Sequence, residues 1–181
     1  MTRKTRVLVA GIGNEMRHDD GAGPVVARLA MDANETCRDN VVSVCSSTVA
    51  EPLELLGLWD NVDLAVVVDA VRSDLPPGTV WLRWLSGDGP ETSEATVAGA
   101  RQMSSHAFGL ASVYRLARAM GRGPGRLALI GIEGQDFSHG EGLSGPVEVS
   151  VAVAARLIAG LLFLERAGAG STNTAPAARR S

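Results

Sequence analysis

The fold is decided near the N-terminus by one stretch, RVLVAGIGNEMRHDDGAGPVVARLAMD, which spans residues 6–32. After its first residue, the predicted strand Arg6–Ile12 is apolar or glycine at every position, a pattern typical of a strand that is buried on both faces. A glycine-containing turn follows, and Asp20 can cap a helix that runs through about Asp32. The stretch therefore predicts the first half of a parallel βαβ unit.

Similar apolar runs recur along the chain and predict further buried strands at Val41–Cys45, Leu64–Asp69 and Leu127–Ile132. Helices are predicted at Pro52–Leu58, from His106 to about Met120, and from the Ser144/Pro146 start to Leu164. Between Val71 and Gly78 only a Pro-Pro-Gly turn precedes the strand Thr79–Leu85, and so short a link favours an antiparallel neighbour. The pattern predicts an α/β three-layer sandwich, with a mostly parallel sheet that has one antiparallel strand and lies between helices.

Length and composition predict one domain. The chain has 181 residues, of which 45% are hydrophobic, and this suits a single core. We expect one domain over residues 1–166 and a disordered tail over residues 167–181, which are small, polar and rich in Gly and Ala.

Charge and cysteine content exclude several classes of partner. A net charge of -3 and a pI of about 5.6 do not favour nucleic acid or an anionic membrane as a partner. The N-terminus lacks the pattern of a secretory signal, and no uncharged apolar run approaches the length of a membrane span, so we expect a cytoplasmic protein. Cys37 and Cys45 have neither metal-binding nor redox spacing and are expected to be buried or half-buried thiols.

Three polar residues stand where a parallel sheet binds ligands, beyond the carboxyl ends of its strands. Asp20 follows the first strand, Asp69 ends the run AVVV at residues 65–68, and His106 stands at a predicted helix start. Two carboxylates and one imidazole from three segments form a set that can hold a metal and leave coordination positions open.

Each of these residues also has a structural interpretation. Asp20 can be only a helix cap, Asp69 can accept hydrogen bonds from the following loop, and His106 can be an ordinary structural histidine. At the end of so apolar a strand, an ionised carboxylate loses hydration unless a cation or hydrogen-bond donors compensate it. This favours a functional role for Asp69. His18 is expected to be a solvated loop residue. His139 and Glu133 either line the cleft or lie in a solvated loop.

The sequence does not match the motifs of three other common kinds of site. Gly11 and Gly13 resemble the start of a dinucleotide fingerprint, but Met16 occupies the position of its third glycine. The chain contains no Gly-x-Ser-x-Gly motif of a serine hydrolase. Cys45 ends a predicted strand, but no neighbouring residue indicates an activated thiolate.

Four segments resemble the hydrogenase maturation proteases in order and spacing. They are Val7–Gly23, with Gly-x-Gly-Asn and an acidic pair; the strand end Val67-Val68-Asp69-Ala70; Ser105-His106-x-x-Gly109-Leu110; and Gly142-Leu143-Ser144-x-x-Val147. The resemblance covers about Arg6 to Leu164. Two departures are visible. Aspartate stands at Asp20 where relatives often carry glutamate, which shortens its reach, and Glu133-Gly134 stands where relatives often carry proline.

The resemblance implies a five-stranded α/β fold and a metal-dependent endopeptidase. Its partner would be the large-subunit precursor of a [NiFe] hydrogenase, from which it would remove a C-terminal peptide. Asp20, Asp69 and His106 would be the catalytic and metal-contacting residues. The metal would be nickel that the precursor presents, or another divalent metal recruited beside it.

Two other functional classes stay open from the residues alone. One is a chaperone that binds nickel and the precursor without cutting it. The other is an α/β module that binds a small ligand or nucleotide through the first glycine-containing loop. The sequence does not predict the oligomeric state.

Overall fold

The computed structural model describes residues 4–35, 42–85 and 105–171, with side chains described for residues 4–32, 42–85 and 109–168. The β-strands are β1 (Thr5–Ile12), β2 (Val42–Val49), β3 (Leu64–Val71), β4 (Val80–Leu85) and β5 (Arg126–Glu133). The α-helices are α1 (Ala22–Glu35), α2 (Ser105–Ala119) and α3 (Gly145–Ser171). Short 3-10 helices cover His18–Gly21 and Pro52–Gly57.

The strands form one five-stranded sheet in the order β2-β1-β3-β5-β4. All neighbours are parallel except β4 and β5, which are antiparallel, so the predicted sheet with one antiparallel strand is confirmed. The expectation that the short link makes β4 the direct neighbour of β3 is wrong, because β4 pairs with β5, which lies between them. β3 is buried at every residue and lies at the centre, whereas β4 is half-buried throughout and lies at the edge.

The core has two layers, one on each face of the sheet. One layer packs α1 and α3 against Val7, Val9, Val66 and Val68. The other layer packs α2 and Trp59 against the alternate residues of the same strands, including Leu8, Ala65 and Val67. Apolar side chains on both faces of β1 and β3 therefore need helices on both sides, and the predicted three-layer sandwich is confirmed.

Two predicted details near the N-terminal half differ in the structure. Asp20 lies inside the 3-10 helix His18–Gly21 and not at a helix cap, and α1 begins two residues later at Ala22. Pro52–Gly57 is a 3-10 helix closed by a capping box between Glu51 and Glu54, and its six residues exceed the roughly three or four that this helix type usually spans. Cys45 is exposed and not buried, because β2 is an edge strand, and Cys37 lies outside the described residues.

The last predicted helix is confirmed, but it is longer than expected. α3 continues through Ser171, so residues 167–171 are helical and the expected tail boundary at 167 is wrong. Alanine favours the helix, and no proline interrupts the chain before Pro176, so the backbone can continue. Residues 172–181 lie outside the described part of the chain.

α3 is also long and apolar enough over Gly145–Gly168 to cross a membrane by length and composition. This is weak evidence for a span, because the covering helix of an α/β sheet has the same composition.

Candidate functional site

Two glycines bring the start of α1 onto the ends of the central strands. A Cβ on Gly11 would overlap the carbonyl of Gly23, and a Cβ on Gly23 would overlap the Ile12 carbonyl and lie 2.6 Å from that of Val68. A larger residue at either position would push the helix away from the sheet. The glycines of the first loop therefore serve close packing, and they hold the acidic turn over the carboxyl edge of β1 and β3.

Asp20 is fixed at this edge by the turn that contains it. Its side chain is 7% exposed, and the backbone N–H of Asn14 donates to Asp20 Oδ2 at 3.0 Å. Gly13, at a φ of 135°, passes so close that a Cβ there would lie 3.6 Å from Asp20 Cγ. The Asp20 carboxyl therefore lies directly beyond the end of β1.

Asp69 lies within β3, two residues before the end of that strand, and is 1% exposed. Its register partners are Ile12 on β1 and Gly131 on β5. Ile12 is the residue before Gly13, so Asp69 and Asp20 come from the ends of neighbouring strands. Asp69 alternates in step with Ala65 and Val67, which places it on the face covered by α2.

His106 is the second residue of α2. The start of this helix lies at the same carboxyl edge, since a Cβ on Gly109 would be 3.7 Å from Pro52 Cγ, just after β2. The backbone thus brings the three predicted site residues to one edge of the sheet. The His106 side chain lies outside the described residues, and the side chains that are described contain no group of three His, Cys, Asp or Glu residues able to hold a metal. The convergence of the three side-chain heads stays a prediction.

Asp19 has a role that the sequence did not reveal. It is fully buried and accepts four hydrogen bonds from the loop that joins β5 to α3. The backbone N–H groups of Gln135 and Asp136 donate to Oδ2 at 2.7 and 2.8 Å. Ser144 donates its N–H to Oδ1 at 2.6 Å and its hydroxyl to Oδ2 at 2.8 Å.

These hydrogen bonds decide the ionisation of Asp19. Burial raises the pKa of its carboxyl, but the hydrogen bonds from Asp136, Ser144 and Gln135 outweigh burial, and the pKa lies below its usual value. Asp19 is therefore a buried carboxylate that ties the Asp20 turn to the β5–α3 loop. In the sequence, only the adjacent acidic pair points to this role. Two neighbouring aspartates do not show which of them accepts the hydrogen bonds of the β5–α3 loop.

The other loop residues take structural roles. His18 is not freely solvated, since its Nδ1 lies 3.1 Å from the Gly142 carbonyl and its ring fills the space where a Cβ of Gly140 would be. Glu133 is 2% exposed and accepts hydrogen bonds from the N–H and hydroxyl of Ser73, at 2.6 and 2.7 Å, so it anchors the link after β3. His139 is exposed, as expected for a solvated loop.

Comparison with known proteins identifies the family. Residues 47–161 match the HycI family model, which describes hydrogenase maturation proteases. The chain belongs to the hydrogenase maturation protease family. The matched range includes the positions of Asp69 and His106, whereas Asp20 precedes it.

Relatives in sequence agree with this membership. The chain is 35% identical over 143 residues to the hydrogenase expression/formation protein HupD of Rhizobium leguminosarum bv. viciae, covering 78% of this chain and 66% of that one. It is 33% identical over 152 residues to HupD of Bradyrhizobium diazoefficiens, covering 83% of this chain and 74% of that one.

Solved structures show the same fold. The hydrogenase maturating endopeptidase HybD from E. coli superposes with a TM-score of 0.65 at 26% identity, covering 88% of this chain and 93% of that one. The [NiFe] hydrogenase maturation protease HybD from Thermococcus kodakarensis gives a TM-score of 0.64 at 26% identity, covering 87% and 99%. The predicted family and fold are confirmed.

Proposed function

We propose that the chain is the endopeptidase that removes a C-terminal peptide from the nickel-loaded large-subunit precursor of a [NiFe] hydrogenase. Family membership supports hydrolysis of a peptide bond. The observation that carries the proposal is the pair of buried carboxylates, Asp20 and Asp69, at the ends of the neighbouring strands β1 and β3. Two negative charges in a poorly hydrated site favour a cation, which a metal-loaded substrate supplies.

In this proposal, nickel belongs to the substrate. Asp20, Asp69 and His106 would contact the nickel seated in the precursor, or a divalent metal recruited beside it. Their donor set fits, because carboxylates and imidazole together suit borderline divalent metals such as nickel. Recognition of the metal would restrict the protease to precursors that have already been loaded.

The reaction is hydrolysis of one peptide bond. The oxygen of a water molecule forms a bond to the scissile carbonyl carbon, the carbon–nitrogen bond breaks, and the departing nitrogen takes a proton. The Asp20 and Asp69 carboxylates would hold and orient the attacking water beside the cation. The proposal assigns the general base to neither residue. We place the reaction in the cytoplasm.

Mass spectrometry of the precursor tests the proposed function. Incubation with a nickel-loaded large-subunit precursor should shorten that precursor by one fixed C-terminal peptide. The same precursor prepared without nickel is the control and should keep its mass. A stable complex with no change in mass would contradict the protease and support the chaperone. Thermal stabilisation by a nucleotide, without any effect on the precursor, would support the ligand-binding module.

A further inference from the structure

Two large apolar side chains are exposed at the carboxyl edge of the sheet. Met16, in the loop after β1, is 55% exposed, and Leu53, in the turn after β2, is 60% exposed. The other exposed large apolar residues of the described chain lie on α1, α2 and α3 or, for Met120, directly after α2. Single exposed apolar residues on helices are normal, but two of them beside a candidate site indicate an interaction surface.

Hydrogen bonds fix the position of Met16. Its backbone N–H donates to Asn14 Oδ1 at 2.9 Å, and its carbonyl accepts the N–H of Gly140 at 2.9 Å. Asn14 also donates its own N–H to Asp20 Oδ2 at 3.0 Å. One turn therefore fixes both the Asp20 carboxyl and the Met16 backbone, and the Met16 side chain is exposed at a defined place beside Asp20.

Leu53 lies in an equally fixed turn, the 3-10 helix Pro52–Gly57. The Glu54 carboxylate accepts the N–H of Glu51 at 3.0 Å and closes the start of this turn. Leu55 is fully buried and belongs to the core layer under α2. Because the turn is held on the core by its buried residues, the Leu53 side chain stays exposed to solvent.

Met16 and Leu53 border the carboxyl edge from the two faces of the sheet. The β5–α3 loop, which bonds to the Met16 carbonyl, packs Phe137 against the core layer under α1 and α3. The turn that carries Leu53 packs on the opposite face, beside the start of α2. Asp20 and Asp69 lie at the edge that these two side chains border.

Exposed apolar side chains on a fixed backbone fit a protein surface better than a small molecule. A small-molecule site is a concave pocket, whereas both of these side chains are more than half exposed. Protein interfaces use apolar anchors, and anchors that are fixed before binding lose less conformational entropy. A second copy of the chain docked here would cover Asp20 and Asp69 and exclude the substrate. The substrate protein itself is therefore the partner that this surface fits.

We propose that Met16 and Leu53 are docking residues that pack against apolar side chains on the surface of the large-subunit precursor, beside its scissile segment. The inference rests on the proposed function and names the surface that holds the substrate protein. The two contacts would orient the folded precursor so that its metal and its scissile bond face Asp20 and Asp69. Neither residue takes part in bond breaking, so both act on binding.

Met16→Gln and Leu53→Gln test this surface, because each replaces an apolar side chain with a polar one of similar size. We expect each to raise the KM for cleavage of the nickel-loaded precursor about three- to tenfold, since a half-exposed side chain has about half of its apolar burial left to gain. The double variant should raise it roughly 10- to 100-fold. The kcat should stay within about twofold of wild type. Met16→Leu keeps the apolar contact and should keep the wild-type KM. An unchanged KM in the double variant would overturn the proposal.

Met120→Gln and Leu116→Gln are the matched controls. Met120 is 53% exposed and Leu116 is 48% exposed, so the same substitutions are made at similar exposure. Leu116 is ten residues after His106 on α2, roughly 15 Å along the helix axis and away from the carboxyl edge. Both controls should keep the wild-type KM, and all of these exposed variants should melt within about 2 °C of wild type. An equal rise in KM in the controls would overturn the specific role of this surface.

Nuclear magnetic resonance of the wild-type chain gives a readout that needs neither cleavage nor a substitution. The chain has five methionines, whose labelled methyl signals can be followed as the nickel-loaded precursor is added. The Met16 signal should shift, and the Met120 signal should not. A bound precursor that leaves the Met16 signal in place would overturn the proposal. A Met16 signal that moves with the concentration of the chain alone would assign this surface to a second copy and would also overturn it.

The two proposals can fail separately. Wild-type chain that binds the precursor and shifts the Met16 signal, but does not shorten the precursor, would contradict the protease and support the docking surface. Wild-type chain that cleaves the precursor with the Met16 signal unmoved would do the reverse. A chain that neither binds nor shortens the precursor would overturn both.

Discussion

Asp19 and Asp20 are adjacent in the chain, but their carboxyls have different partners. Asp19 is enclosed by donors of the β5–α3 loop, whereas Asp20 accepts a backbone hydrogen bond from Asn14 within its own turn. Full satisfaction of a buried carboxylate by hydrogen bonds leaves little capacity for a metal. Asp19 is therefore the residue that stabilises the turn, and Asp20 is the better candidate for contact with a substrate-borne cation.

Asp19→Asn should lower the free energy of unfolding by about 2 to 4 kcal/mol at neutral pH, because the amide NH₂ would face buried N–H donors. Asp32→Asn, which removes the same charge from an exposed position on α1, should change it by less than about 0.5 kcal/mol. Denaturant unfolding measures both. Equal stabilities of wild type and Asp19→Asn would contradict the anchoring role of Asp19.

The difference in stability between wild type and Asp19→Asn should depend on pH. The folded-state pKa of Asp19 is lowered, so its stabilising effect is present above the unfolded pKa of about 3.9 and is lost as the pH falls through the folded value. The stability gap between wild type and Asp19→Asn should therefore be widest near neutral pH and should narrow below about pH 4. A gap that widens in acid would show that another group is responsible.

Asp69→Asn should remove activity and leave the fold intact. The amide keeps the shape and much of the hydrogen-bonding capacity of the carboxyl but has no negative charge for a cation. Cleavage should fall at least about 100-fold, since even the outer partners of metal ligands contribute roughly 10- to 100-fold. The melting temperature should hold or rise slightly, because a buried charge is removed.

Precursor cleavage and thermal denaturation should be measured together for wild type, Asp69→Asn and His106→Ala. Near-normal cleavage by Asp69→Asn would contradict contact between this carboxylate and the metal. Loss of cleavage together with unfolding would instead assign Asp69 a structural role.

At the scale of elements, the contact between β1 and α1 depends on glycine. Gly11→Ala should lower the free energy of unfolding by about 3 kcal/mol, because the new Cβ overlaps the rigid backbone of Gly23. Gly160→Ala is the opposite control, since nothing lies within 4 Å of that position in α3 and alanine favours the helix. It should raise stability by roughly 0.5 to 1 kcal/mol. Changes of the same sign in both variants would contradict this account.

The C-terminal end of α3 is less buried than the rest of the helix. Its last fully packed residue is Leu162, and Glu165 adds an ion pair with Arg126 on β5 at 2.6 Å. A chain that ends at residue 171 should therefore keep the wild-type melting temperature and activity. A chain that ends at residue 160 should have a melting temperature lower by at least about 5 °C, because it lacks the buried Leu162 and the ion pair of Glu165. A clear drop for the longer form would show that the tail packs.

At the scale of the whole molecule, the apolar helix α3 raises the question of membrane attachment. It packs against α1 and the sheet, and its buried residues Val147, Val151, Ala154 and Ile158 belong to the core. A helix committed to the core in this way cannot also span a bilayer without unfolding the domain. After lysis and ultracentrifugation without detergent, the chain should stay in the supernatant. Recovery only in the membrane pellet would contradict the proposed cytoplasmic location.

The sequence alone determined the fold class and the elements that carry the site. Consecutive apolar residues in β1 and β3 require burial on both faces, and only a parallel sheet between helices provides it. The same rule places Asp20, Asp69 and the start of α2 at the carboxyl edge, because every parallel strand ends there. Polarity and hydrophobic pattern are local properties, so they can be read from the chain directly.

Tertiary structure decided how distant segments meet. The order that places β5 between β3 and β4, the enclosure of Asp19 by Ser144, and the packing of Trp81 over Gly131 all join residues far apart in the chain. Asp19 and Ser144 are 125 positions apart, and no local pattern specifies that hydrogen bond. Such contacts form only after the strands have paired, since the register of β4 against β5 determines which residue faces Gly131.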